Sequence, residues 1–254
     1  MKANIFYDYD WAIDNIFENE GILYTRTIEY IFYFMAGYDI CTKVFCDRIP
    51  ERIFLNKFWK WLMDNYSDYK PDSAYWYDYY IDKAQNTSIS EYMIFHNDYL
   101  KFNKSDNKYN QTINYDCDAY ILFQNTRINK IYAINRKHVL LMKERKVSFL
   151  FYIFLGDSIF LEKNCNVPIE SNIAFKFGKW LNKKYPEYDE NKIGLFWYLI
   201  IEDLAKKNNK DELNLLAELF TEFLQVSENR NVVFDEETKK LYEYNGDGSI
   251  KKEF

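Results

Sequence analysis

Glycine and proline are scarce in this chain of 254 residues, with 7 and 4 respectively. A β-sandwich needs turn residues at short intervals, so the shortage argues against one and favours long helices. Histidine, the commonest general base near neutral pH, occurs twice, at His96 and His138. Neither has a Cys, Ser or acid partner at a recognised spacing. Phosphate-binding glycine loops, dinucleotide fingerprints and nucleophile elbows are all missing. The four cysteines, Cys41, Cys46, Cys117 and Cys165, form no CxxC pair and read as buried or free thiols of a reducing compartment. Positive charge is also short. The net charge of −6 repels phosphate backbones and so disfavours nucleic acid as a partner. No long hydrophobic run is present either. "VSFLFYIFLGDSIFLEKN" reaches about ten apolar residues before Gly156-Asp157, too few to span a bilayer. The first residues, "MKANIFYDYDWAIDN", meet acids by Asp8 and lack the apolar core of a signal peptide. These absences predict a cytoplasmic protein with no membrane role.

What the chain has in abundance is aromatic side chains: 24 Tyr and 21 Phe, within a hydrophobic fraction of 48%. That composition supports a sizeable core in one large domain or two small ones. The frequent Asn, Lys, Ile and Tyr point to an AT-rich genome, and so to a bacterial origin.

The chain also says one thing twice. Shifted by 119 residues, "YIFYFMAGYDICTKVFC" lies over "FLFYIFLGDSIFLEKNC", and "KFWKWLMDNYSDY" over "KFGKWLNKKYPEY". Between residues 30 and 69, 13 of 40 positions are identical, Gly37/Gly156, Trp61/Trp180 and Tyr66/Tyr185 among them. A further shift of two places "YWYDYYIDKA" on "FWYLIIEDLA". The pattern reads as two copies of one unit of about 120 residues. Phe58, Trp61, Leu62, Tyr66 and Tyr69 fall on one face of a 3.6-period helix, as do Phe177, Trp180, Leu181, Tyr185 and Tyr188. A core-facing stripe explains those aromatics without a cofactor.

Each copy reads as four helices. The first set spans 23–46, 51–66, 71–85 and 88–103; the second spans 136–163, 169–185, 191–207 and 210–226. Pro50 and Pro168 suit first turns, Ser88 with Glu91 resembles a capping box, and Asp211 can cap the last helix. "NVVFDEETKKLYEYNGDGSI" reads as a hairpin. The expected fold class is therefore mostly α: two tandem four-helix units from an internal duplication, with a small C-terminal β-hairpin. Residues 1–118 form the first unit and 119–254 the second with its hairpin, the two packed as one globule.

Acid clusters offer little chemistry. Asp8 and Asp10 resemble a DxD nucleophile pair, but Trp11 and Ala12 replace its small turn residues and no α/β alternation follows. Asp116 with Asp118, and Asp235 with Glu236 and Glu237, have the form of solvated loop acids rather than a divalent-ion site. No catalytic residue, metal or cofactor is expected, and the chain reads as no enzyme.

The copies differ most along 75–82. There Trp76, Tyr77, Tyr80 and Ala84 make an inward face, while Tyr75, Asp78, Tyr79 and Asp82 make an outward one. The matching outward positions of the second copy are Phe196, Leu199, Ile200 and Asp203, a helix apolar nearly all round, expected at the centre or at a dimer contact. Trp59 against Gly178 is a further difference. Tyrosine is enriched at interaction hot spots, so Tyr75, Asp78, Tyr79 and Asp82 are the candidate partner-binding residues.

In its acidity, its aromatic content and its helical architecture, the chain resembles the immunity proteins of bacterial polymorphic toxin systems. The resemblance lies in composition and architecture, and no motif carries family residues across. It implies an inhibitor that binds a basic toxin domain and occludes its active site, its acids facing the toxin's basic residues. A phage- or defence-related inhibitor or sensor shares every one of these features, and a carboxylate-metal enzyme is the rival from another class. A homodimer stays open.

Overall fold

In the computed structural model, residues 2–6, 13, 16, 27–45, 54–69, 75–105, 112–116, 142–165, 168–188, 196–225, 232–235, 240–244 and 250–253 are described. The chain is mostly helical. Helices α1 (Ile28–Phe45), α2 (Phe54–Asn65), α3 (Tyr77–Gln85) and α4 (Glu91–Ser105) are followed by α5 (Val147–Cys165), α6 (Ile173–Lys184), α7 (Tyr198–Asn208) and α8 (Glu212–Gln225). Five short strands complete the described elements. Strands β1 (Lys2–Phe6) and β2 (Thr112–Asp116) pair with each other. Strands β3 (Val232–Asp235), β4 (Lys240–Tyr244) and β5 (Ile250–Glu253) form an antiparallel sheet in that order, Val233 opposite Tyr242. Among the described residues no helix is long and apolar enough to cross a membrane.

Two compact units divide the chain. One comprises Met1–Tyr115 with Tyr152–Ile169, the other Asp116–Phe151 with Glu170–Phe254. Tyr152–Ile169, distant in the chain, thus belongs with the first unit.

The reason lies in α1 and α5. Both are apolar on nearly every side, and a helix of that kind must be buried. Ile31, Tyr33, Phe34, Met35 and Tyr38 of α1 are all sealed from solvent. Within the first unit, α1 packs on the later part of α5 at backbone contact. A Cβ on Gly37 would stand 1.9 Å from the Ile153 carbonyl oxygen, and one on Gly156 would stand 2.0 Å from that of Phe34. Only glycine permits so close an approach. Beside this crossing the Tyr30 and Tyr152 rings stack at 4.2 Å, and the Tyr38 ring meets Phe160 edge-on at 5.0 Å. The Cys41 thiol, buried and in no disulfide, donates to the Asp157 carboxylate at 3.6 Å.

Around α1 the first unit gathers an aromatic core. Phe58 touches Trp76, Phe95 and Phe102 edge-on at 5.1, 5.4 and 5.2 Å, and Phe32 meets Trp76 at 5.3 Å. In the second unit Phe177 meets Trp197 and Phe223 at 5.3 and 5.5 Å, and Phe151 meets Trp197 at 5.3 Å. The stripe read from sequence is helical only as far as Asn65 and Lys184; Tyr66 and Tyr69, and Tyr185 and Tyr188, follow those helix ends. Phe58, Leu62 and Tyr69 are buried, as are Phe177 and Leu181.

Helix starts depart from the sequence reading, and each departure has a local cause. The first turn of α4 is held by Ser90, whose hydroxyl accepts from Met93 N at 3.4 Å, so Ser88 is not the cap. Residues 142–146 lie outside any helix, and α5 begins at Val147, whose N–H donates to the Glu212 carboxylate at 3.0 Å. Ile169–Ser171 forms a single 3-10 turn ahead of α6. Asn172 then caps α6, accepting from Ala174 N at 3.0 Å. Helices α3 and α7 begin at Tyr77 and Tyr198, with Trp76 and Trp197 in turns before them. Asp211 does cap α8, accepting from Asn214 N at 3.0 Å.

Candidate functional site

Helix α3 presents the outward face marked in the sequence. Trp76, Tyr77 and Tyr80 are buried, Tyr75, Asp78 and Tyr79 are half-buried, and Asp82 is exposed. The structure thus places the four candidate residues along one side of α3 and the turn before it. The two tyrosines are also tied inward. Tyr75 lies 5.5 Å from Phe32, and Tyr79 packs on Tyr66 and Tyr69 at 5.6 and 5.2 Å.

Behind this face sits a polar network that the sequence reading missed. Asp98 of α4 is only 3% exposed. It accepts from the Tyr66 hydroxyl at 2.6 Å, from the Tyr80 hydroxyl at 3.3 Å and from the Lys101 ammonium at 2.8 Å. A buried carboxylate needs such partners to offset its lost hydration. The available signal was an acid lodged between Phe95, Tyr99 and Phe102 on an apolar helical face. Lys83, four residues beyond Tyr79, donates to the Tyr79 hydroxyl at 2.6 Å and was likewise not singled out.

Electrostatics keep these phenols neutral. Burial pushes the Tyr69 hydroxyl up to about 12, with the Asp78 charge adding to the rise and the Trp59 indole opposing it. Burial also raises Tyr66, and the hydrogen bond to Asp98 raises it further. Tyr79 is raised by burial and then by the charges of Asp68 and Asp98; Tyr80 is raised well above its ordinary value by burial and by Asp98. The hydrogen bond to Asp98 holds Lys101 charged to higher pH. At neutral pH the face therefore offers phenol O–H groups and aromatic surface, with negative charge from carboxylates alone. No phenolate is at hand as a base or nucleophile.

The corresponding part of the second unit is built differently. Ile200 and Ile201 of α7 are fully buried, and Phe196 and Leu199 half-buried. Near its surface Lys207 pairs with Asp203 at 2.6 Å and the Tyr188 hydroxyl donates to the same carboxylate. Lys207 and then Tyr188 hold Asp203 below the usual carboxylate range. At α4 the outward Ile89, Met93 and Leu100 are exposed, whereas the matching residues of the second set are Lys210, Asn214 and Thr221.

His96 is half-buried on α4. Asp8, Asp10, Asp118, Glu236, Glu237, His138, Cys46 and Cys117 lie outside the described residues, as do the side chains of Asp116, Cys165 and Asp235. Among the described residues no three His, Cys, Asp or Glu side chains gather as a metal site. The chain matches no protein-family model, no curated protein and no solved structure.

Proposed function

We propose that this chain is a protein-binding inhibitor, an immunity protein that neutralises a cognate toxin by occluding its active site. It acts in the cytoplasm, without a cofactor and without catalysis of its own. The observation that carries the reading is the side of α3 on which Tyr75, Asp78, Tyr79 and Asp82 stand together, tyrosines among carboxylates. Such a surface complements a basic protein and anchors it through tyrosine. The acidic balance of the whole chain speeds the encounter.

The scaffold, on this reading, is two tandem four-helix units from one duplication, with the C-terminal hairpin added. Its support is the regular spacing of the helices. Ile28 and Val147, and Phe54 and Ile173, are 119 residues apart; Tyr77 and Tyr198, and Glu91 and Glu212, are 121 apart. Ring pairs recur at the same offsets. Phe58–Trp61 at 5.8 Å answers to Phe177–Trp180 at 5.9 Å, and Trp61–Phe102 to Trp180–Phe223, both at 5.9 Å.

The test is recovery of the native protein with its bound partner, followed by binding measurements. A basic toxin domain encoded beside this chain is the expected partner. Tyr75→Ala combined with Asp82→Asn should weaken its binding by a factor of about thirty, the scale of one hot spot, and leave the melting temperature nearly unchanged. Full-strength binding by that variant would rule out this face.

A further inference from the structure

One corner of this face already holds a cation. The Lys83 ammonium lies 4.3 Å from the centre of the Tyr66 ring and 4.6 Å from that of Tyr79. The two rings stand 5.6 Å apart and 42° from parallel, one from the turn after α2 and one from α3. Ammonium and guanidinium groups are drawn to such ring faces, most strongly when shielded from water. Tyr69 is 8% exposed and packs edge-on to Tyr79 at 5.2 Å, closing one side of the box around Lys83. Asp68 and Asp82 are exposed at the rim, and neither forms an ion pair among the described residues. A lysine that served only to neutralise the acids would reach for one of them, whereas Lys83 turns to the rings. The second set has Ile200 and Leu204 where the first has Tyr79 and Lys83; its ring-bound lysine is Lys184, 5.0 Å from the Trp180 ring and 5.6 Å from that of Tyr185, and it also pairs with Glu222.

We propose that Tyr66 and Tyr79 form a socket for a lysine or arginine side chain of the basic partner, and that Lys83 fills it until the partner's cation takes its place. The inference rests on the reading of 75–82 as the binding face and names the chemistry recognised there. Displaced, the Lys83 stem swings into solvent. The entering cation then gains the two ring faces and the rim carboxylates.

The experiment titrates capped hexa-arginine and hexa-lysine peptides into the full-length chain and follows binding by calorimetry. Lys83→Met empties the socket. Lys104→Met makes the same charge change at the exposed end of α4, outside it. Lys83→Met should tighten peptide binding at least fivefold, and Lys104→Met less than twofold. Tyr79→Phe keeps the ring and should bind at least as well as the parent. Tyr79→Ile, the residue of the second set, should lose tenfold or more. Equal tightening by the two lysine variants would overturn the socket, whether or not Tyr79→Ile folds. Asp78→Asn with Asp82→Asn reports separately on the face. If this variant loses binding while the lysine variants behave alike, the face stands and the socket falls. If it binds normally while Lys83→Met tightens, the socket stands and the larger face falls. No binding by any variant overturns both.

Discussion

Helices α3 and α4 of the first set and α7 and α8 of the second solve one packing problem in two ways. The first set buries Asp98 and gives it two phenols and a lysine. The second has Leu219 in its place, and Ile201 where the first has Tyr80, both buried. Hydrophobic residues usually stabilise a site of this kind as well as a buried ion pair does, or better. The second set demonstrates that the helices pack without the network. In the first set the network instead ties the Tyr66 and Tyr80 hydroxyls to Asp98.

The comparison can be broken most severely where the sets agree. Gly37→Leu and Gly156→Leu each drive a side chain into a backbone carbonyl. Each should lower unfolding free energy by about 3 kcal/mol or more, near 10 °C in melting temperature. Thermal denaturation of both variants checks this, and tolerance of either would refute the close crossing of α1 and α5. A smaller effect separates the two designs. Asp98→Ala strands Lys101 and two phenols and should lose about 2 kcal/mol in urea denaturation. The double variant Asp98→Leu with Tyr80→Ile, copied from the second set, should recover most of that loss. If the double variant is worse than the single one, the two packings are not interchangeable.

The smallest effect depends on pH. Glu202 of α7 stands where the first set has Ile81. Burial, and then the charge of Glu212, push its carboxyl up to about 7, against the opposing hydrogen bond from Ser148 and the charge of Lys146. Its folded pKa lies above its unfolded one, so the folded chain binds the proton more tightly. Stability is greatest below about 4.5 and is lost as pH rises through 7. Glu202→Gln should therefore melt about 2–4 °C above the parent at pH 8, and level with it near pH 5. Equal melting at both pH values would mean that the carboxyl titrates normally.

Much of this architecture could be read from the sequence because it is periodic. Phe58 and Leu62 announce a buried helical face by spacing alone, and so do Phe177 and Leu181; Tyr69, beyond the end of α2, does not. The outward side of α3 was legible for the same reason. What stayed hidden depends on residues distant in the chain. The first-turn N–H groups of Phe54 and Leu55 donate to Asp39, 15 and 16 residues earlier, at 3.2 and 2.9 Å. The second set has a serine at that place, Ser158, and caps α6 locally with Asn172. Nothing in the run before Val147 forbids a helix; the side chain of Glu212, 65 residues later, takes the N–H that opens α5. The Asp98 network joins three elements, and no window of sequence contains them together.

The two glycines of the crossing also limit how the sets can change. Gly37 meets Ile153, and Gly156 meets Phe34; each contact is the other displaced by 119 residues. Drift at one glycine cannot be absorbed by its counterpart, because the obstacle is main chain and no side chain can shrink to make room. Selection should therefore hold these two positions alike while leaving Tyr79 and Ile200 to diverge. A chain built this way holds the crossing fixed and leaves its freedom to the rim.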